Sequence, residues 1–68
     1  MTNLTERQID VLRMASEGLT TPEIAAQLGV SPRTVDTHRE HALAELGARN
    51  MVHAVALALK EGILNRGH

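Results

Sequence analysis

The apolar positions of this chain fall into four groups separated by glycine, proline and capping residues, and within each group they recur at helical spacing. Val11, Leu12 and Ala15, with Ile9 at the edge, share one arc and predict a helix over about 6–17. Thr5 and Gln8 are spaced as a capping box and Leu4 and Ile9 as a hydrophobic staple, while Gly18 stops the helix and Leu19 stands where a Schellman end needs an apolar contact. Ile24, Ala25 and Leu28 form the stripe of a second helix over about 22–28, capped by Thr21, with Pro22 at the first position, where its missing N–H costs nothing. Gly29 ends that helix and turns the chain through positive φ. Ser31 caps a third helix over about 32–46, again with proline first, and Val30 and Val35 staple its start. At 100° per residue its Val35, Ala42 and Leu46 face inward, whereas Arg33, Thr37, Glu40 and Ala44, flanked by Asp36 and His41, lie opposite. Asn50 caps a fourth helix over about 51–61, before Gly62.

These elements predict an all-α fold: one compact four-helix domain over 1–68, in which the second and third helices form a helix-turn-helix. So short a turn requires small residues at the helix contact, and Ala25 and Ala26 supply them. The polar tail Asn65–His68 is expected to fray. The last helix is apolar nearly all round. Val52, Val55, Ala56 and Leu59 make one face, and Leu57 lies on the other with His53, Ala54 and Ala58. A domain this small offers a helix only one core, so the second face calls for another apolar surface, namely the same helix of a second copy. The alternative is that alanine is simply a good helix former and Leu57 a lone exposed leucine.

Composition narrows the function. Sixty-eight residues without cysteine exclude disulfides and thiolate metal sites. No apolar run approaches a membrane span and the first ten residues hold no signal-peptide core, so a cytoplasmic protein is expected. The chain has no Phe, Trp or Tyr, so only imidazole and guanidinium could stack on single-stranded bases, and if the chain binds nucleic acid a helix in a duplex groove is the expected mode. The net charge of −1 runs against phosphate binding, although local placement controls the field. His38, His41 and Glu45 share a helix side, a thin set for a metal without cysteine or a second cluster, and no metal or cofactor is expected. Ser16 and Ser31 have no plausible histidine–carboxylate arrangement and no Gly-rich phosphate loop exists, so the chain does not read as an enzyme.

Ala25, Gly29 and Val35 stand at the spacing of the alanine, glycine and β-branched residue of the DNA-binding helix-turn-helix. A longer ordered string is more specific: Leu4-Thr5, Val11-Leu12, Gly18-Leu19, Glu23-Ile24-Ala25, Leu28, Ser31, Thr34-Val35, His38, Leu46-Gly47, Arg49-Asn50, Ala54-Val55 and Gly62. From about Leu4 to Leu64 the chain resembles the LuxR-type DNA-binding domain of bacterial transcription regulators. The resemblance implies a regulator that dimerises through its last helix, and DNA contacts from the positions of Asp36, Thr37 and Glu40. The first of these is usually lysine in the family. Pro22, Glu45 and Met51 likewise stand where relatives often carry a base, so positive charge is missing around the expected footprint.

Several site expectations follow. Arg33, Asp36, Thr37 and Glu40 are the candidates for base edges, Arg33 for guanine or phosphate, Thr37 for a thymine methyl, and the carboxylates for cytosine N4. Asp36 and Glu40 are also a like-charge pair four residues apart, which Arg33 and Arg39 can offset. Phosphate contacts are expected at helix N-termini, from Thr20, Thr21, Ser31, Arg49 and Asn50, with His41 beside the groove face. His53, Ala54, Leu57, Ala58 and Glu61 are the candidate dimer interface. The expected partners are double-stranded DNA and a second copy, with a transcription-machinery protein as a third. The rival expectation is a protein-interaction module whose acidic third helix binds a basic surface, such as a polymerase subunit or another regulator. A starting Met followed at once by the first cap reads as a free-standing small protein, controlled by its abundance or by a partner.

Overall fold

The computed structural model describes residues 3–64, and the tail over 65–68 lies outside them. Local capping chemistry sets the helix starts. In α1, Glu6–Ser16, Thr5 Oγ1 accepts from the Gln8 N–H at 3.1 Å and Gln8 Oε1 accepts from the Thr5 N–H at 3.1 Å. This reciprocal box satisfies two of the donors that a first turn leaves open. The far end is a Schellman motif, with Gly18 N–H on the Ala15 carbonyl at 3.0 Å and Leu19 N–H on that of Met14 at 3.1 Å.

The start of α2, Thr21–Leu28, corrects the expected cap by one residue. Thr20, not Thr21, is the N-cap: its Oγ1 accepts from the Glu23 N–H at 3.3 Å, and Glu23 Oε1 accepts from the Thr20 N–H at 2.8 Å. Only Thr20 has a carboxylate three residues on; the same place for Thr21 is Ile24. Gly29 then takes φ +71°, and the Val30 N–H closes on the Ala25 carbonyl at 3.0 Å. Ser31 accepts from the Thr34 N–H at 3.1 Å to begin α3, Pro32–Leu46, and Asn50 accepts from the His53 N–H at 2.8 Å to begin α4, Met51–Lys60.

Two apolar clusters fill the interior. Val11, Ile24, Ala25 and Val35 join α1 to the helix-turn-helix, with Leu19, Leu28 and Val30 around them. Leu12, Ala42, Ala54, Ala58 and Leu64 join α1 to the second half of α3 and to α4. The neighbours Val11 and Leu12 thus serve different clusters, as do Val35 and Ala42 on α3. Leu4 and Ile9, spaced as a staple, both pack on the second cluster.

The rotation of α4 differs from the expected one. Ala54 and Ala58, expected at a dimer interface, are fully buried, while Val52 is 83% exposed and Ala56 is exposed as well. Met51, Val55 and Leu59 flank the buried alanines. The reason is the shape of the seam. Where α4 meets α1 and α3 its contact residues are alanines, opposite Ala42, and small residues let the helix backbones approach closely. The bulkier valine face has no such seam to enter.

This rotation predicts opposite outcomes at two neighbouring alanines. Ala58→Leu overpacks the α3–α4 seam and lowers stability by about 1–3 kcal/mol, whereas Ala56→Ser stays within about 0.5 kcal/mol. Urea unfolding of both variants reads the difference, and a larger loss at Ala56 would contradict the rotation.

Candidate nucleic-acid interface

The outer face of α3 is built by exclusion. Val35 and Ala42 are sealed in the two clusters and Leu46 packs on the second. On the other side Arg33, Asp36, Thr37, Glu40, His41 and Ala44 are all exposed, so the helix presents every side chain expected on its outward arc. The Thr37 hydroxyl donates back to the Arg33 carbonyl at 3.2 Å. His38 is half-buried at the margin of this face.

Arg39 has a role that sequence reasoning missed. Its Nη1 donates to the Thr21 hydroxyl at 2.6 Å and lies 3.6 Å from Asp36 Oδ1. The guanidinium therefore ties the first turn of α2 to the middle of α3, fixing their relative position from the side opposite the Gly29 turn. It also supplies the offset to Asp36; among the described residues no ion pair joins Asp36 to Arg33, and Glu40 has no ion-pair partner. No local signal marks the Arg39–Thr21 bond, because the two residues are 18 apart in the chain.

The helix N-termini differ in what they offer an anion. At α1 and α2 the first turn holds Glu6 and Glu23, and the Glu23 carboxylate already occupies the backbone N–H of Thr20. Thr21 is half-buried with its hydroxyl on Arg39. At α3 and α4 the first turn has no acidic residue, which leaves the positive end of each helix dipole uncompensated. Ser31 is exposed there, its hydroxyl 3.0 Å from that of Thr34. Arg49 and Asn50 are exposed at the start of α4, and the Arg49 N–H donates to His53 Nδ1 at 3.0 Å. The Thr20–Glu23 spacing is a capping box that the sequence displays, whereas the reach of His53 back to Arg49 has no standard signature.

Of the five residues expected between two copies, Ala54 and Ala58 belong to the core. His53 and Leu57 are half-buried and Glu61 is exposed, and Val52 and Ala56 take the outward place on α4. Met51, one of the positions read as a missing base, is half-buried against the core, and the carboxylate of Glu45, another, accepts from the Asn3 N–H at 3.4 Å. Among the described residues no helix is long and apolar enough to cross a membrane, and no group of His, Asp or Glu is disposed to hold a metal.

Comparison with known proteins follows the same outline. The family described as bacterial regulatory proteins, luxR family, matches residues 2–58. An HTH-type transcriptional regulator of Mycobacterium bovis is 47% identical over 60 residues, which are 88% of this chain and 7% of that protein. The transcriptional activator protein BjaR1 of Bradyrhizobium diazoefficiens is 42% identical over 64 residues, 94% of this chain and 26% of the relative. The chain therefore spans a small part of the length of these relatives. Among solved structures, the transcription factor GerE superposes with a TM-score of 0.87 at 27% identity, covering 91% of this chain and 92% of GerE. With four helices in the same arrangement and a helix-turn-helix at the matching place, the chain belongs to the luxR family of bacterial regulatory proteins and carries the DNA-binding domain of a LuxR-type transcriptional regulator.

Proposed function

We propose that the chain binds duplex DNA sequence-selectively as a homodimer, with α3 laid in the major groove and α4 joining the two copies. The exposed arc of α3 carries this reading. A helix of 15 residues is about 22 Å long and 10–12 Å across with its side chains, a fit to a groove about 12 Å wide. Arg33, Asp36, Thr37 and Glu40 are the side chains assigned to base edges. Ser31, Arg49 and Asn50 are assigned to phosphates, together with Thr20, Thr21 and His41 at the edges of the footprint. Thr20 and Thr21 are the weakest of these, because Glu23 and Arg39 already engage them.

The charge of α3 sets how such a complex behaves. It holds two arginines against three carboxylates, and one of the arginines is turned toward Thr21. Few phosphates are neutralised, so sequence-independent affinity is low and most of the discrimination comes from acceptors that fit cytosine N4 or adenine N6 and repel misplaced phosphate. The same carboxylate excess favours the second reading, a basic protein surface as the partner.

Between copies, the outward strip of α4 supplies Val52 and Ala56, flanked by His53 and Leu57, with Glu61 at its end. An exposed valine is a modest patch alone, and doubling it about a twofold axis buries it on both copies.

Selection from a random duplex library at low salt is expected to return a defined half-site, bound with a log–log salt slope no steeper than about −4, as for roughly four neutralised phosphates per dimer. The absence of sequence preference at any salt would favour the protein partner. Asp36→Lys raises nonspecific duplex affinity and steepens that slope by about two for the dimer; an unchanged slope would place α3 away from the phosphates. Val52→Asp gives monomers at unchanged unfolding temperature in sedimentation and thermal melts, and an undisturbed dimer would move the interface off α4.

A further inference from the structure

The start of α4 is capped by a titratable residue. At the third position of α1 and α2 stand Gln8 and Glu23, whose side chains reach back to the backbone N–H of the cap. At the third position of α4 stands His53. Its N–H donates to Asn50 Oδ1 at 2.8 Å, and its ring Nδ1 accepts from the Arg49 N–H at 3.0 Å. The reciprocal box is therefore present, extended by one residue and closed by an imidazole.

An imidazole accepts at Nδ1 only when it is neutral with the proton on Nε2. Once protonated, both ring nitrogens donate. Nδ1–H then faces the Arg49 N–H, and a positive charge sits at the positive end of the α4 dipole. Of the elements packed on α4, α1 closes with the charged side chains Arg13 and Glu17, and α3 carries His41 and Glu45 toward its close. Arg13 pairs with Asp10 and Glu45 accepts from Asn3, and none of the four bonds the ring among the described residues. Nothing in that set replaces the lost acceptor.

We propose that His53 is a positioning residue for the Arg49–Asn50 start of α4, holding its backbone in the phosphate-binding geometry while the ring is neutral and releasing it on acidification. The positioning role rests on the reading that this helix end meets DNA phosphate; the cap itself does not.

The test compares wild type, His53→Gln and His53→Ala at about pH 8 and about pH 5.5, the span in which imidazole changes charge. In the free proteins, the hydrogen-exchange protection factor of the Arg49 amide is expected to fall on acidification in wild type. It is retained at both pH values in His53→Gln, whose amide oxygen accepts throughout, and low at both in His53→Ala. In duplex binding at about pH 8, His53→Ala binds about three- to tenfold more weakly than wild type and His53→Gln, the size of one lost cap. Arg49 protection that does not change with pH in wild type, or that survives in His53→Ala, overturns the cap. Equal duplex affinity of the three proteins at about pH 8, with the cap visibly lost in His53→Ala, overturns the positioning role. If wild type dissociates on acidification with Arg49 still protected, His53 acts at the helix–helix interface and the proposal fails. If no variant binds duplex at either pH, the phosphate reading falls and the positioning role with it, while Arg49 protection still decides the cap.

Discussion

Helix α3 is gripped along one edge. Val35 anchors its first half among Val11, Ile24 and Ala25, and Ala42 anchors its second half among Leu12, Ala54 and Ala58. The rest of the domain serves that grip: α1 divides its adjacent apolar residues between the two halves, α2 braces the start, and α4 closes over the end. Because the chain lacks aromatic rings, Leu12 and Ile24 are the largest side chains fully buried between the helices, and alanines at the α4 seam bring the backbones together. A domain of this size has little surplus stability, so losing either anchor endangers the whole fold. Gripping one edge also leaves the opposite arc open to a groove.

What could be read beforehand was the chemistry of short range. Thr5 with Gln8, Ser31 with Pro32, Gly29 and Asn50 each act within four residues, and the helices begin and end where those signals stand. The inner edge of α3 was legible too, because polar residues on its outer arc leave one choice of face. The two departures have different origins. For α2, the proline at position 22 drew the cap to Thr21, while the deciding partner, Glu23, lay three residues beyond Thr20. For α4, apolar residues surround the helix, so its own periodicity allows either face inward; the narrow seam offered by α1 and α3 chose the alanines over the valines. Arg39 was unreadable for a plainer reason, since Thr21 is brought to it only by the folded turn.

The electrostatics follow from placement rather than total charge. One arginine of α3 points at its own domain, and the unneutralised helix ends are those of α3 and α4, on either side of the open arc in sequence. Attraction to phosphate is thereby concentrated at a few points, with carboxylates between them. In the proposed complex such an arrangement gives up generic affinity and penalises a wrong register, since a misplaced carboxylate meets phosphate and a well-placed one meets an amino group.

The most direct test is amide shift mapping of the protein against a selected duplex. The account predicts perturbations at Ser31, Arg33, Asp36, Thr37, Glu40 and His41, with a second set at Arg49 and Asn50 and little change along α1. Perturbations confined to α1 with the outer arc of α3 silent would contradict it.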